Sequence, residues 1–280
     1  MSRTIKSVQG LLRKAFQHAP GPDETLFYRG HADRSYKLEP SVFRNSGHRQ
    51  NENAMINEMI AANPTDFAND KSTFDKLVRM QHYSLPTRLL DITSNPLMAL
   101  YFACAALPGT TGEVVILKVQ RSATFFCDGD TPSVIANLAH MDAKAKIVFA
   151  KNAHLNVEGF NDLTESGRLL HFIREEKPYF QPLIVPSDLG RIICVMSKMS
   201  NNRIISQAGA FLLFGNESYV EANGVPGITI DRVLINGHEK RHILGELDAL
   251  NIKESTVFPY IENSARYIRD RYKIDETLTP

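Results

Sequence analysis

Apolar positions outline the chain. Val8, Leu11, Leu12, Ala15 and Phe16 recur at helical spacing and stop before Pro20-Gly21-Pro22, which predicts an opening amphipathic helix with a hard end. TLFYRG, closed by Gly30, reads as a short strand. Helices are expected over 50–62 and 72–82, parted by Asn63-Pro64, with the polar stretch 44–53 as an exposed loop. RLLDI, starting at Arg88, has the pattern of a buried strand. Asn95 caps well and Pro96 is preorganised for a first helical turn, so PLMALYFACAAL (96–107) is a helix. It is apolar on every side and should run through the interior until Pro108-Gly109.

EVVILKV (113–119), rich in β-branched residues, is the clearest strand, and RIICV, AFLLF and ITIDRVLI add further candidates. More helices are expected over 132–140, 160–177, 239–250 and 260–272. Strands and helices alternate irregularly, and no strand leads through a glycine-rich phosphate fingerprint into a helix. A doubly wound nucleotide fold is therefore disfavoured. The pattern fits an α+β fold, a mostly antiparallel sheet, whole or split, flanked by helices. The organisation read from it is an N-terminal helix and linker (1–24), a single α+β domain (25–272) and a short tail (273–280).

Composition changes this picture little. With 43% hydrophobic and 22% charged residues, the chain is that of an ordinary globular protein. Lysine and arginine number 32 against 31 acidic residues, with no run of like charge, which argues against a dedicated nucleic-acid coat. A local basic groove stays open, and RNA or DNA with it as substrate. Cys104, Cys127 and Cys194 lie far apart, without zinc-ligand or disulfide spacing, and read as reduced core thiols. No apolar leader segment occupies residues 1–20, and the longest apolar run, Leu97 to Leu107, is too short to span a bilayer. The expectation is a cytoplasmic protein with no membrane partner.

Polar residues set into apolar stretches are the candidates for chemistry. Arg29 ends an apolar strand beside Gly30, where a guanidinium can project as a phosphate or carboxylate fork and backbone can approach a ligand. The competing reading pairs Arg29 with Asp33 or Glu39. QHYSLPTRLLDIT (81–93) places Gln81, His82, Thr87, Arg88 and Asp91 just ahead of the core helix, whose N-terminus favours anions. They either surround the mouth of a pocket or staple helix 72–82 to the core helix through an internal salt bridge of Arg88 with Asp91. Gln207, after Arg203 in NNRIISQAGAFLLFG, stands at a strand entrance, as a neutral donor and acceptor or as the filler of a tight turn. No G-x-S-x-G elbow, H-E-x-x-H or P-loop occurs.

Four ordered segments, FYRGHADRSYKLEPSVFR, MQHYSLPTRLLDITSNPLMALYFA, NNRIISQAGAFLLFG and LNIKESTVFPYIENSARYI, resemble successive blocks of the FRG domain family over roughly residues 25–270. The family is named for a Phe-Arg-Gly motif, here Tyr28-Arg29-Gly30, and the second block is the specific one. The family commonly has an aromatic residue where Ile92 stands. Its bacterial and phage settings imply conflict. A more distant similarity is to ADP-ribosyltransferase-like folds, which implies an early-strand residue (Arg29) holding NAD, a Ser/Thr-bearing strand (Thr93) leading into a helix, and a late polar residue at the nicotinamide ribose. That last place holds Gln207 where such enzymes usually carry glutamate. Asp91 and Glu217 are the candidates for the missing acid.

The resemblance thus implies an NAD-using ADP-ribosyltransferase or NAD glycohydrolase, a toxin or anti-phage effector, with NAD as substrate and no metal. Arg29, His82, Gln207 and Asp91 would act on the substrate, and Tyr28, Gly30, Tyr83, Thr87, Arg88 and Thr93 would line its site. A protein or nucleic-acid acceptor and an antitoxin or other protein partner are expected. The alternatives are a non-catalytic module recognising a nucleotide or phospho-ligand and, more remotely, a nuclease built on His82, Arg88 and Asp91.

Overall fold

A computed structural model of the chain describes residues 4–196 and 207–258 and shows nine strands in a single open sheet. In chain order they are β1 (Thr4–Ile5), β2 (Glu24–His31), β3 (Leu89–Thr93), β4 (Gly112–Gln120), β5 (Thr124–Phe126), β6 (Ile192–Met196), β7 (Gly209–Phe214), β8 (Gly224–Val225) and β9 (Ile228–Ile235). Across the sheet they run β1-β9-β4-β2-β3-β7-β6-β5, with β8 folded onto β9. The outer pairs β1–β9 and β5–β6 are parallel, and the others are antiparallel. The sheet is neither split nor evenly joined. β2 pairs with β4 from Glu24 to His31, and β3 with β7 from Leu89 to Thr93, but β2 meets β3 through Tyr28 and Thr93 alone.

The helices are α1 (Val8–Gln17), α2 (Ser46–Gln50), α3 (Glu52–Ala62), α4 (Pro64–Phe67), α5 (Thr73–His82), α6 (Pro96–Cys104), α7 (Asp130–Asn137), α8 (Ala143–Lys151), α9 (Val157–Asn161), α10 (Thr164–Glu176), α11 (Lys240–Ala249) and α12 (Glu254–Val257). α1 begins where Ser7 Oγ accepts from the Gly10 amide, and it buries Val8, Leu11 and Ala15. α6 begins on Asn95 and Pro96 and buries most of its surface, as its uniformly apolar sequence requires. It ends at Cys104, earlier than Pro108-Gly109 suggested. Just beyond it the buried Lys240 donates to the carbonyls of Ala106 and Leu107, and also to that of Ala32, and so satisfies the acceptors of the turn that follows the helix. No helix among the described residues is long and apolar enough to cross a membrane.

One face of the sheet carries the helices. α1, α6 and α11 pack over the β9-β4-β2 half, with Tyr28, Val114 and Ile116 beneath them. α3, α5 and α7 pack over the β3-β7-β6 half on Leu89, Leu213 and Ile193. The other face, with Phe27, Leu90, Ile92, Val115 and Leu212, is covered by Leu38, Phe43 and Val220 from irregular segments. α7 to α10 close a fourth cluster at the side.

Several expectations need correction. The stretch 44–53 is exposed over most of its length, as expected, but it is not a loop: it forms α2 and opens α3, and Glu52 within it is 2% exposed. α8 was not anticipated, and the helix expected over 160–177 is broken between α9 and α10. The helix expected over 260–272, and Arg203, lie outside the described residues.

His140 carries a testable pH signature. It stacks on Phe172 with ring centroids 5.1 Å apart, and its Nε2 lies 3.3 Å from Thr73 Oγ1. Burial, aided by Lys76, pushes its pKa down to about 4. The folded-state value is depressed, so below about pH 6.5 the unfolded chain takes up a proton that the folded chain refuses. Stability is therefore expected to fall between about pH 6.5 and 4, by up to ~3 kcal/mol from this group. Urea midpoints of wild type and His140→Gln across that range check it. An equally steep acid limb in the variant would refute the assignment.

Candidate functional site

The narrow join between β2 and β3 opens into a cavity of about 730 Å³, within the range that holds small-molecule ligands. Continued past Tyr28–Thr93, the antiparallel register would bring Gly30 to Asp91, but the strands have diverged by then. Arg29 spans the gap instead. Its Nη1 donates to the Asp91 carbonyl at 2.5 Å, so a side chain satisfies a backbone acceptor that has no ladder partner on that side. Burial, offset in part by Asp91, lowers the Arg29 pKa to about 10, which leaves it protonated at neutral pH. The pairings with Asp33 or Glu39 considered above do not form: Arg29 Nε donates to His31 Nε2 at 3.3 Å.

Because the sheet parts here, the cavity is lined from both faces. Arg29 pairs with Val115 and shares its face, where Tyr36, Lys37, Glu39 and Arg44 complete that part of the wall. Lys37 and Arg44 are exposed, and Arg44 donates through Nε and Nη2 to the Glu39 carbonyl. On the helix face stand Gln81 and His82 at the end of α5, Ala99 and Phe102 of α6, and Asp91, Gln207 and Phe211. One side is thus rich in cations. The other presents a carboxylate, amides and aromatic rings.

The polar groups on the helix face are held in place. Asp91 Oδ2 accepts from Gln81 Nε2 at 2.6 Å, and Gln81 Oε1 accepts a short hydrogen bond from Thr87 Oγ1, which orients the amide. Gln207 is buried; its Nε2 donates to the Val257 carbonyl at 3.1 Å, and its own carbonyl accepts from Thr93 Oγ1 at 2.6 Å. Thr93 Oγ1 also accepts from the Asn95 amide, tying the strand end to the start of α6. Gln207 is therefore both a cavity residue and the filler of a turn, with Ala208 in the left-handed region at φ 47°. Burial also raises the Tyr28 phenol above its usual range.

Of the residues singled out in the sequence, Tyr28, Arg29, Gly30, Gln81, His82, Asp91, Thr93 and Gln207 line one cavity. Gly30 does so for a reason other than the one inferred: a Cβ there would lie 1.9 Å from the Ala99 carbonyl oxygen, so the close approach is that of α6 and not of a ligand. Tyr83, Thr87 and Arg88 are not among the lining residues. Tyr83 is exposed, with its ring edge-on to His82 at 5.1 Å, and Thr87 acts only through Gln81. The staple from Arg88 to Asp91 is not formed. Arg88 turns to the other face, where Nε and Nη2 grip Glu52 and Nη1 donates to the carbonyls of Phe214 and Gly215. Glu217 is exposed and lies outside the lining. The sequence reading missed His31, Tyr36, Lys37 and Arg44. Their only signal was proximity to the Tyr28-Arg29-Gly30 motif.

Residues 24–109 match the model of the FRG domain family, so the chain carries an FRG domain. The matched segment runs from β2 to beyond α6 and contributes every lining residue but Gln207, Gly209 and Phe211. Neither curated proteins nor solved structures give a match to this chain.

Proposed function

We propose that the cavity binds NAD and that the protein is an ADP-ribosyltransferase-like enzyme, or an NAD glycohydrolase, acting inside a bacterial cell as a toxin or anti-phage effector. The carrying observation is the division of the cavity between its two faces. Arg29, Lys37 and Arg44 suit a pyrophosphate on one side, and Asp91, Gln81, Gln207 and the Phe102 and Phe211 rings suit a ribose and a flat heterocycle on the other. NAD has these parts in this order. The setting in conflict follows from the family resemblance alone.

In this reading the bond between nicotinamide and ribose C1′ breaks with its electron pair passing to the ring nitrogen, which leaves as neutral nicotinamide. Positive charge builds on the ribose, and Asp91 takes the place of the acid that Gln207 cannot be. A preorganised carboxylate facing that charge is the largest effect such a site can supply. Gln207, its amide nitrogen held by Val257, offers Oε1 to a ribose hydroxyl. An acceptor oxygen or nitrogen then bonds C1′ and gives up its proton. Water as acceptor makes the protein a glycohydrolase.

The resemblance itself favours a second reading, a nucleotide recognition module that signals to a partner protein: on it, the neutral Gln207 falls where such enzymes usually carry an acid. Nicotinamide release from NAD by the purified protein, with and without cell extract, tests both. Asp91→Asn is expected to lower turnover about 10²–10³-fold at little cost in binding. Arg29→Ala is expected to weaken NAD binding on the order of tenfold. Binding without release would favour the module, and a folded wild type that binds no NAD overturns the proposal.

A further inference from the structure

Behind Arg29 runs a buried chain of polar groups that the proposed chemistry does not use. His31 and Glu113 face each other across β2 and β4, 4% and 1% exposed. Arg29 Nε donates to His31 Nε2 at 3.3 Å, His31 Nδ1 lies 3.0 Å from Glu113 Oε1, and Arg232 of β9 donates through Nη1 to that same oxygen. A guanidinium N–H can only donate, so His31 Nε2 must carry a lone pair. The proton of the neutral imidazole then sits on Nδ1, directed at the carboxylate. Each link fixes the orientation of the next.

As stability alone, this chain is poorly explained. An apolar pair would fill a place beside Val115 without the desolvation that a histidine, a carboxylate and two guanidiniums bring. What the chain does supply is direction. With Nε held by His31 and Nη1 by the Asp91 carbonyl, the Arg29 plane cannot rotate about its long stem, and its remaining N–H groups are set relative to the cavity.

We propose that His31 and Glu113 are positioning residues: Glu113 fixes the His31 tautomer, and His31 holds the Arg29 guanidinium edge-on so that its other donors meet the anionic part of the ligand. This rests on the reading of Arg29 as the ligand's anion contact. The groups facing His31 are Arg29, Glu113, Arg232 and the Tyr36 ring, whose centroid lies 6.1 Å away. Protonating His31 would make both ring nitrogens donors and leave Arg29 Nε without its acceptor. Burial resists this: with the two arginines it outweighs the pull of Glu113 and keeps His31 neutral to below its ordinary range.

The test compares wild type, His31→Phe and His31→Gln. Phenylalanine keeps the bulk and removes the acceptor, whereas glutamine can accept from Arg29 and donate to Glu113. His31→Phe is expected to weaken NAD binding and raise KM on the order of tenfold with kcat nearly unchanged, and His31→Gln to restore most of it. The acid-side loss of NAD binding in wild type is expected to disappear in His31→Gln. Wild-type affinity in a folded His31→Phe variant would overturn the proposal, as would a shared loss in both variants. Nitrogen NMR of the unliganded wild type supplies an arm independent of NAD. A neutral Nδ1–H tautomer at His31, with an Arg29 Nε–H that exchanges slowly and loses this protection in His31→Phe, supports the positioning role even if NAD proves to be the wrong ligand. An Nε2–H tautomer sinks it.

Discussion

Replacing Glu52 by alanine is expected to cost about 3–5 kcal/mol and to lower the melting temperature on the order of 10 °C. Glu52 is the anion of a buried group of three charges. Arg88, 1% exposed, donates Nε to its Oε1 at 2.9 Å and Nη2 to its Oε2 at 2.5 Å, and Lys146 Nζ reaches Oε2 at 2.7 Å. Burial alone would push the Glu52 carboxyl up, but Arg88 and Lys146 outweigh it and hold it below the usual range. Deleting the carboxylate strands the Arg88 guanidinium in the core, and that uncompensated charge dominates the loss. The double variant Glu52→Leu with Arg88→Met removes both charges and is expected to recover much of the stability, because an apolar pair of similar volume avoids the desolvation. Urea titrations of the three proteins decide this. A double variant no more stable than Glu52→Ala would mean that the pair is not the unit. Arg88 directly precedes β3 and holds the carbonyls of Phe214 and Gly215, so its loss should also loosen the strand that carries Asp91.

This pair also marks where sequence reasoning stopped. That Arg88 needed a buried partner follows from its place in RLLDI; that the partner is Glu52 does not, because Glu52 sits in a polar stretch with no hydrophobic period to mark it as internal. Elements with strong local signals were legible: β2, β3, β4 and α6 stand where apolar and β-branched runs and the Asn95-Pro96 cap put them. Long-range order was not. Nothing local makes β2 a neighbour of β3 through one residue pair, and that divergence is what creates the cavity. Arg29, Asp91 and Gln207 could be named because Arg29 ends an apolar strand, Asp91 interrupts one and Gln207 stands at the entrance of a third. Lys37 and Arg44 could not, because they gain meaning only when the segment after β2 folds back over the gap, nor could His31, whose partner Glu113 lies across the sheet on β4.

Gly30→Ala is expected to destabilise the protein by about 3 kcal/mol or more, at the upper end of what overpacking costs. The added Cβ would lie 1.9 Å from the Ala99 carbonyl oxygen and 2.7 Å from the Ala103 amide nitrogen. Both are backbone atoms of α6, so no side-chain substitution on that helix can relieve the clash; α6 must lift or β2 must leave the sheet. Gly245→Ala in α11 is the control. Its Cβ would meet nothing within 4 Å, and it is expected to be neutral or stabilising by up to ~1 kcal/mol. Thermal melts of the two variants check this, and a Gly30→Ala protein melting within a degree or two of wild type would disprove the α6–β2 contact. The effect should reach the cavity as well. Tyr28 joins the sheet halves through Thr93, Arg29 bridges the gap to the Asp91 carbonyl, and Gly30 lets α6 lie close enough for Ala99 and Phe102 to form the adjoining wall. A displaced α6 moves that wall away from Arg29 while leaving Arg29 itself unchanged. NAD binding by any folded fraction of Gly30→Ala should therefore fall at least as far as in Arg29→Ala, although no group that touches the ligand has been altered.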